Sequence, residues 1–337
     1  MSRPDLQILI TAQGRAEAVP QPRPAVPAGQ VLVRTLRSLV SPGTELSFFE
    51  GTHISLPDPG NPWAKYPFRS GYATIGEVVE VGPDAPANSP RLGARIFFFG
   101  YHATWNLLSP EKVWLETPAG LSDDAILLSR LVQIAATGVE VLRRRPQRAL
   151  VVGAGLIGLF AAQTLQARGC PFVVVQDVVP ARLDLARRNG LAHTVLAEGA
   201  GLAAARKLFG DEAPDCVIEA TGIGAMAGPC LEAVATNGDV SLLGIPRGES
   251  TLNLYRLVVR KNAALLGAHE GVIPDRAPPG QSSRQALIHE ALAGMVAARI
   301  RTEGLVSGHV LPQDCQTFYE NLSRDKARWI TAVIDWS

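Results

Sequence analysis

Six consecutive residues, Gly153-Ala154-Gly155-Leu156-Ile157-Gly158, constrain this chain more than any other feature. Just before them, Ala149-Leu150-Val151-Val152 is a short apolar run suited to a buried parallel strand. After them, Leu159 to Arg168 has helical spacing and ends at Gly169, and Pro171 to Gln176 is a second β-rich run delivering Asp177. Strand, glycine turn, helix, strand and acid in that order define a dinucleotide-binding unit. Gly153 allows the tight turn, Gly155 lets a pyrophosphate approach the backbone, and Gly158 lets helix and strand pack closely. The helix N-terminus, with Leu156 and Ile157 in its first turn, offers free N–H groups and the positive dipole end to the phosphates. Asp177 would accept hydrogen bonds from the adenosine ribose and repel a 2′-phosphate, so the expected cofactor is NAD(H) rather than NADP(H).

A length of 337 residues exceeds one ordinary core and suggests two domains. With 19% charged residues and a net charge of +1, the chain has no nucleic-acid footprint. Its one tight basic cluster, Arg143-Arg144-Arg145 with Arg148, reads as a solvated turn before the first cofactor strand. Met1–Ile10 holds no secretory apolar region, and no run is long enough to span a bilayer. The four cysteines form no CxxC pair, so the expected setting is the cytoplasm with reduced thiols.

The first 120 or so residues look β-rich and are punctuated by Pro and Gly, with strands expected at 31–33, 75–81 and 95–99. A long proline-containing loop is expected from Gly43 to Arg69, and a helix from Leu121 to Leu142 behind Ser122. From there strand and helix alternate, with sheet strands at 149–152, 172–176, 216–219, 239–243 and 264–266. Their ends, Thr221-Gly222, Gly244-Ile245-Pro246 and Gly267-Ala268, should border the cofactor. A helix at 284–299, a short tail helix and a last strand at 331–334 complete the reading.

Beyond the glycine turn, the chain carries Gly29-Gln30-Val31-Leu32-Val33, the segment from Gly71 to Gly82, and Gly93-Ala94-Arg95-Ile96. With these landmarks it resembles the medium-chain dehydrogenase/reductase superfamily along nearly its whole length. The resemblance implies an α/β protein whose doubly wound parallel Rossmann sheet, residues 130–268, is inserted in a β-rich GroES-like catalytic domain of residues 1–129 and 269–337. It leaves open a homodimer along the last strands of the nucleotide sheet. Zinc members carry Cys where this chain has Ser41, and Gly-His-Glu where it has Gly71-Tyr72-Ala73. A third ligand would fall near Gln133 or Ile134, and no cysteine precedes Cys170. These residue types do not make a zinc site, so no metal is expected. Gly43-Thr44-Glu45 with Gly71-Tyr72 is also similar to the zinc-lacking bacteriochlorophyllide hydroxyethyl dehydrogenases.

Carbonyl reduction leaves an alkoxide-like oxygen that needs a proton donor or positive charge. Tyr72, standing where the resemblance puts a ligating His, either donates to that oxygen or fills the space as a packed aromatic. Thr44 and Glu45 share the Ser41 loop, with Glu45 a base or a structural acceptor. His53, on the long loop, and His102, on a family strand bordering the cleft, are further catalytic candidates; each is alternatively a surface or half-buried histidine. His269 is a pocket candidate, whereas His193, His289 and His309 are peripheral. Trp63, Tyr66, Phe68 and Trp105 suggest an organic substrate with an apolar face, or simple loop packing. Arg182 resembles the basic residue that closes over the adenosine ribose, or is a solvated helix-start arginine. The expected function is zinc-independent, NAD(H)-dependent interconversion of a secondary alcohol and a ketone on a small organic molecule. Three alternatives stay open: a redox-neutral enzyme with tightly held NAD, an NADPH-dependent enoyl or quinone reductase, and a non-catalytic nucleotide sensor.

Overall fold

The computed structural model describes residues 4–198 and 201–337. The chain divides into two compact units: one ends at Arg130 and resumes at Leu305, and the other is Leu131–Gly304.

The second unit is built on six parallel strands, Arg148–Val152, Phe172–Asp177, His193–Leu196, Cys216–Glu219, Asp239–Leu242 and Ala264–Gly267. Their order across the sheet is third, second, first, fourth, fifth, sixth, the doubly wound arrangement. Val174, Leu150, Val217 and Val240 form one row across four strands and are fully buried. The alternating residues Val151, Val175 and Ile218 are fully buried as well, so both faces of the sheet are covered and its strands are near-continuous apolar runs. His193–Leu196 is absent from the sequence expectation because an edge strand without full burial leaves no apolar run.

Residues 269–304, expected with the tail, group instead with the parallel sheet. The helix Arg284–Val296 starts at Ser283, whose side chain accepts from Ala286 N, and buries Leu287, Ile288, Ala291, Leu292 and Met295. Arg168 clasps Glu290 at 2.7 and 2.8 Å. The Gln163 amide accepts from Arg301 N at 2.6 Å and donates to Arg301 O at 3.1 Å. These contacts come from the helix Leu156–Ala167 and its end, so packing decides the boundary where the sequence offers no break.

The first unit carries a seven-stranded mixed sheet and a three-stranded sheet formed by Leu6–Ala12, Arg15–Pro20 and Phe68–Arg69. The expected loop Gly43–Arg69 is corrected in its first part, because Pro42–Phe49 is a helix. Pro42 sits at its first turn with Glu45 nearby, favourable at a positive helix end. Leu46, Phe48 and Phe49 bury against the tail helix Cys315–Arg324 through Phe318, Tyr319 and Leu322. Among the described residues no helix is long and apolar enough to cross a membrane.

Candidate active site

The residues expected to border a nucleotide lie at the carboxyl ends of the first, second, fourth and fifth strands of the parallel sheet. Gly153 has φ of +99°, a region closed to most side chains. Gly155 caps the helix Leu156–Ala167 with no side-chain acceptor, leaving its first N–H groups for a ligand. A Cβ on Gly155 would meet nothing within 4 Å, whereas one on Gly158 would lie inside the Gly153 carbonyl oxygen. Gly155 therefore keeps backbone open and Gly158 keeps turn and helix together. Leu156 is buried and Ile157 is half-buried.

Asp177 is held by two backbone donors: its Oδ2 accepts from Ala154 N at 2.6 Å and its Oδ1 from Val179 N at 2.8 Å. Arg182 Nη1 lies 3.7 Å away. Each carboxylate oxygen has a second lone-pair site, so the acid can still accept from a ribose. Glu219, unremarked in the sequence, organises the neighbouring turn. It accepts from Thr221 N at 2.7 Å, Gly222 N at 3.3 Å and the Thr221 hydroxyl, while burial pushes its carboxyl above the ordinary range. Gly244 packs so closely on Gly222 that a Cβ would enter its backbone. Val178, Ile223 and Ile245 are exposed apolar residues at these strand ends. His269 is occupied locally, its Nδ1 accepting from Gly271 N.

In the first unit three hydroxyls converge. Tyr72 and Ser41 share a hydrogen bond, and the Thr44 side chain acts on the same phenol, lowering its pKa. The guanidinium of Arg130, a side chain 4% exposed, lies 4.8 Å from the Tyr72 ring centre and 4.1 Å from that of Phe99. Burial pushes the Tyr72 phenol above its usual value, with Arg130, Ser41 and Thr44 acting in the opposite direction. Arg130, absent from the sequence expectation, lies one helical turn before Gln133 and Ile134, the positions expected near a third ligand. A lone arginine in the apolar run Ala125–Ala136 was the available signal.

Glu45 and His102 are fully buried and have partners of their own. Glu45 accepts from Ser41 N at 2.8 Å, from the Tyr319 hydroxyl and from His102 Nε2 at 3.1 Å. Burial and the Glu45 charge push the Tyr319 phenol well above its usual value. Ser38 Oγ lies 2.8 Å from both His102 Nδ1 and Trp336 Nε1. Every group is satisfied when Trp336 donates to Ser38, Ser38 to His102 Nδ1, and His102 Nε2–H to Glu45, a tautomer assigned from the partners. The acid thus fixes the Ser41 backbone.

His53 lies apart from this network. It stacks on Phe48 at 4.4 Å and meets Trp63 edge-on at 5.3 Å, within a group that includes Phe68. The Tyr66 hydroxyl donates to Phe48 O at 2.5 Å. These aromatics brace the helix Pro42–Phe49. Burial lowers the His53 pKa, and its Nδ1 accepts from Ser55 N. Its stabilisation is complete above pH about 6.5, the unfolded value, and is lost as pH falls through the lower folded value. An acid-induced change in tryptophan fluorescence in that range should disappear in His53→Phe; its persistence would place the titration elsewhere.

Hydroxyls beside a guanidinium do not fit Zn²⁺, which takes thiolate, imidazole or carboxylate. Among the described residues no three His, Cys, Asp or Glu are grouped to hold a metal ion. The cysteines are free and buried, and burial pushes Cys170 and Cys315 up to about 11, which suits packing rather than nucleophilic work.

Residues 157–280 match the family described as "Zinc-binding dehydrogenase", a stretch that contains none of Ser41, Tyr72 or Arg130. The chain is 27% identical over 281 residues to glucose 1-dehydrogenase 2 of Vulcanisaeta moutnovskia, covering 71% of this chain and 76% of that protein. It is 24% identical over 275 residues to L-threonine 3-dehydrogenase of Shewanella frigidimarina, covering 72% and 77%. An alcohol dehydrogenase of E. coli CFT073, crystallised with NADH, superposes with a TM-score of 0.81 at 16% identity over 98% of this chain and 99% of that one. The chain is an alcohol-dehydrogenase-like enzyme, and these matches support the medium-chain dehydrogenase/reductase superfamily.

Proposed function

We propose that the chain is a zinc-independent, NAD(H)-dependent oxidoreductase that interconverts a secondary alcohol and a ketone on a small organic substrate. The observation that carries this reading is the Ser41–Thr44–Tyr72 hydroxyl cluster, a proton-donating set where a metal site would need ligands. NAD(H), when bound, accepts or supplies the hydride. The N-terminus of the helix after Gly155 would hold its pyrophosphate, and Asp177 with Arg182 its adenosine ribose. Thr221, Gly244 and Ile245 would line the same crevice. Tyr72 gives its proton to the forming alkoxide during reduction and takes one back during oxidation, with Ser41 and Thr44 orienting the phenol. Glu45 and His102 act as positioning residues through the Ser41 backbone. The relatives named above, a glucose and a threonine dehydrogenase, support an alcohol substrate.

Fluorescence titration of chelator-treated protein with NADH and NADPH tests the reading. Tight NADH binding, at least about tenfold preferred and unaffected by chelation, is expected; that preference corresponds to ~1.4 kcal/mol. Asp177→Ser should weaken NADH and narrow the preference, because the ribose loses an acceptor and a 2′-phosphate no longer meets like charge. Equal affinities in the wild type, or an unchanged preference in the variant, would remove Asp177 from the ribose site. Loss of binding on chelation would overturn zinc independence.

A further inference from the structure

We propose that the Arg130 guanidinium is the fixed positive charge that stabilises the anion left when Tyr72 passes its proton to a substrate oxygen. This deepens the alcohol–ketone reading and rests on it. Its basis is the placement of Arg130, buried and held between the Tyr72 and Phe99 rings at 4.8 and 4.1 Å. A guanidinium keeps its charge at any working pH, and in a low-dielectric site that charge acts strongly. It is therefore preorganised before reaction and needs no rearrangement when charge develops.

The proton balance is simple. In reduction, hydride from NADH forms the new C–H bond while the Tyr72 O–H bond breaks and a substrate O–H bond forms. Tyr72 remains as phenolate until it is reprotonated from solvent, its charge balanced by the positive charge the nicotinamide would gain on giving up the hydride. In oxidation the same transfers run backwards. Burial opposes ionisation of the phenol most, Arg130, Ser41 and Thr44 favour it, and Glu45 opposes it. Arg130 is the sole cation in that set, so its removal leaves the phenolate with hydroxyl donors facing a carboxylate. Arg130 acts through Tyr72 and is a positioning residue in the electrostatic sense.

The test reads the phenol directly. The tyrosines are replaced by difluorotyrosine, whose phenol ionises nearer neutrality, and the Tyr72 resonance is identified by its loss in Tyr72→Phe. Fluorine NMR then follows its ionisation in otherwise wild-type protein, in Arg130→Met and in Arg130→Lys. The Met variant should move that ionisation upward by about one pH unit, a tenfold change, and Lys should restore most of it. On a substrate turned over by the wild type, Arg130→Met should lower kcat about a hundredfold with NADH affinity unchanged. An unshifted Tyr72 titration in folded Arg130→Met overturns the proposal, as does failure of Lys to restore a shifted one. If the Met variant does not fold, Arg130→Gln, which keeps hydrogen-bonding capacity without charge, gives the same two outcomes. A wild type that turns over no alcohol or ketone defeats the functional reading instead, and the titration still decides the role of Arg130.

Discussion

Tyr72→Phe is expected to lower turnover by about a thousandfold while leaving NADH affinity where it was. Loss of a positioned acid or base commonly costs about 10²–10⁴ in rate, and among the described residues no other phenol is bonded to Ser41. The ring and its packing beside Arg130 survive the substitution, so the change removes one oxygen and little shape. Ser41 loses a partner, which costs about 1 kcal/mol of stability and shows as a small fall in melting temperature. Steady-state kinetics, NADH titration and a melting curve on one preparation separate these effects. In the wild type, reduction requires the protonated phenol and declines as pH rises through its pKa. That limb should vanish in the Phe variant. A wild-type rate would leave Tyr72 a packing residue and would move the proton donor elsewhere.

Gly158→Ala is expected to destabilise the nucleotide unit and to weaken NADH binding by more than about tenfold. The added Cβ would enter the Gly153 carbonyl oxygen and come within 3.2 Å of the Ala220 Cβ, so backbone rather than a flexible side chain must move. Overpacking of this kind costs roughly 1–3 kcal/mol, and a fall of several degrees in melting temperature follows. Gly155→Ala is the informative contrast. Its φ of −68° suits alanine, and its Cβ meets nothing within 4 Å, so the protein should melt as before. NADH binding should still weaken, because the methyl group occupies the space through which pyrophosphate reaches the backbone. Loss of stability in both variants, or in neither, would contradict the different tasks assigned to the two glycines.

The parallel-sheet half of the fold was legible because its signals are local. Strand, turn and helix follow one another from Arg148 to Ala167, and Gly158 packs directly on Gly153 within the same turn. The site half was legible only in part. Ser41, Thr44 and Tyr72 stood out as departures from a family pattern, but nothing in the sequence showed them touching. Glu45, His102 and His53 read alike as titratable candidates. Tertiary packing separated them, burying the first two in one network and stacking the third on Phe48.

The sequence by itself determined the doubly wound sheet, the crevice at its strand ends and the acid beside the first turn, since periodicity and turn chemistry act over a few residues. Only the tertiary structure decided that Arg130 stands beside Tyr72, that Tyr319 and Trp336 hold the network around Ser41, and that residues 269–304 pack on the parallel sheet. Tyr319 and Trp336 lie 274 and 298 positions from their partners Glu45 and Ser38. No local pattern encodes such pairs; they form because the folded core brings the tail against the site helix, where Glu45 accepts from Tyr319 and Ser38 from Trp336.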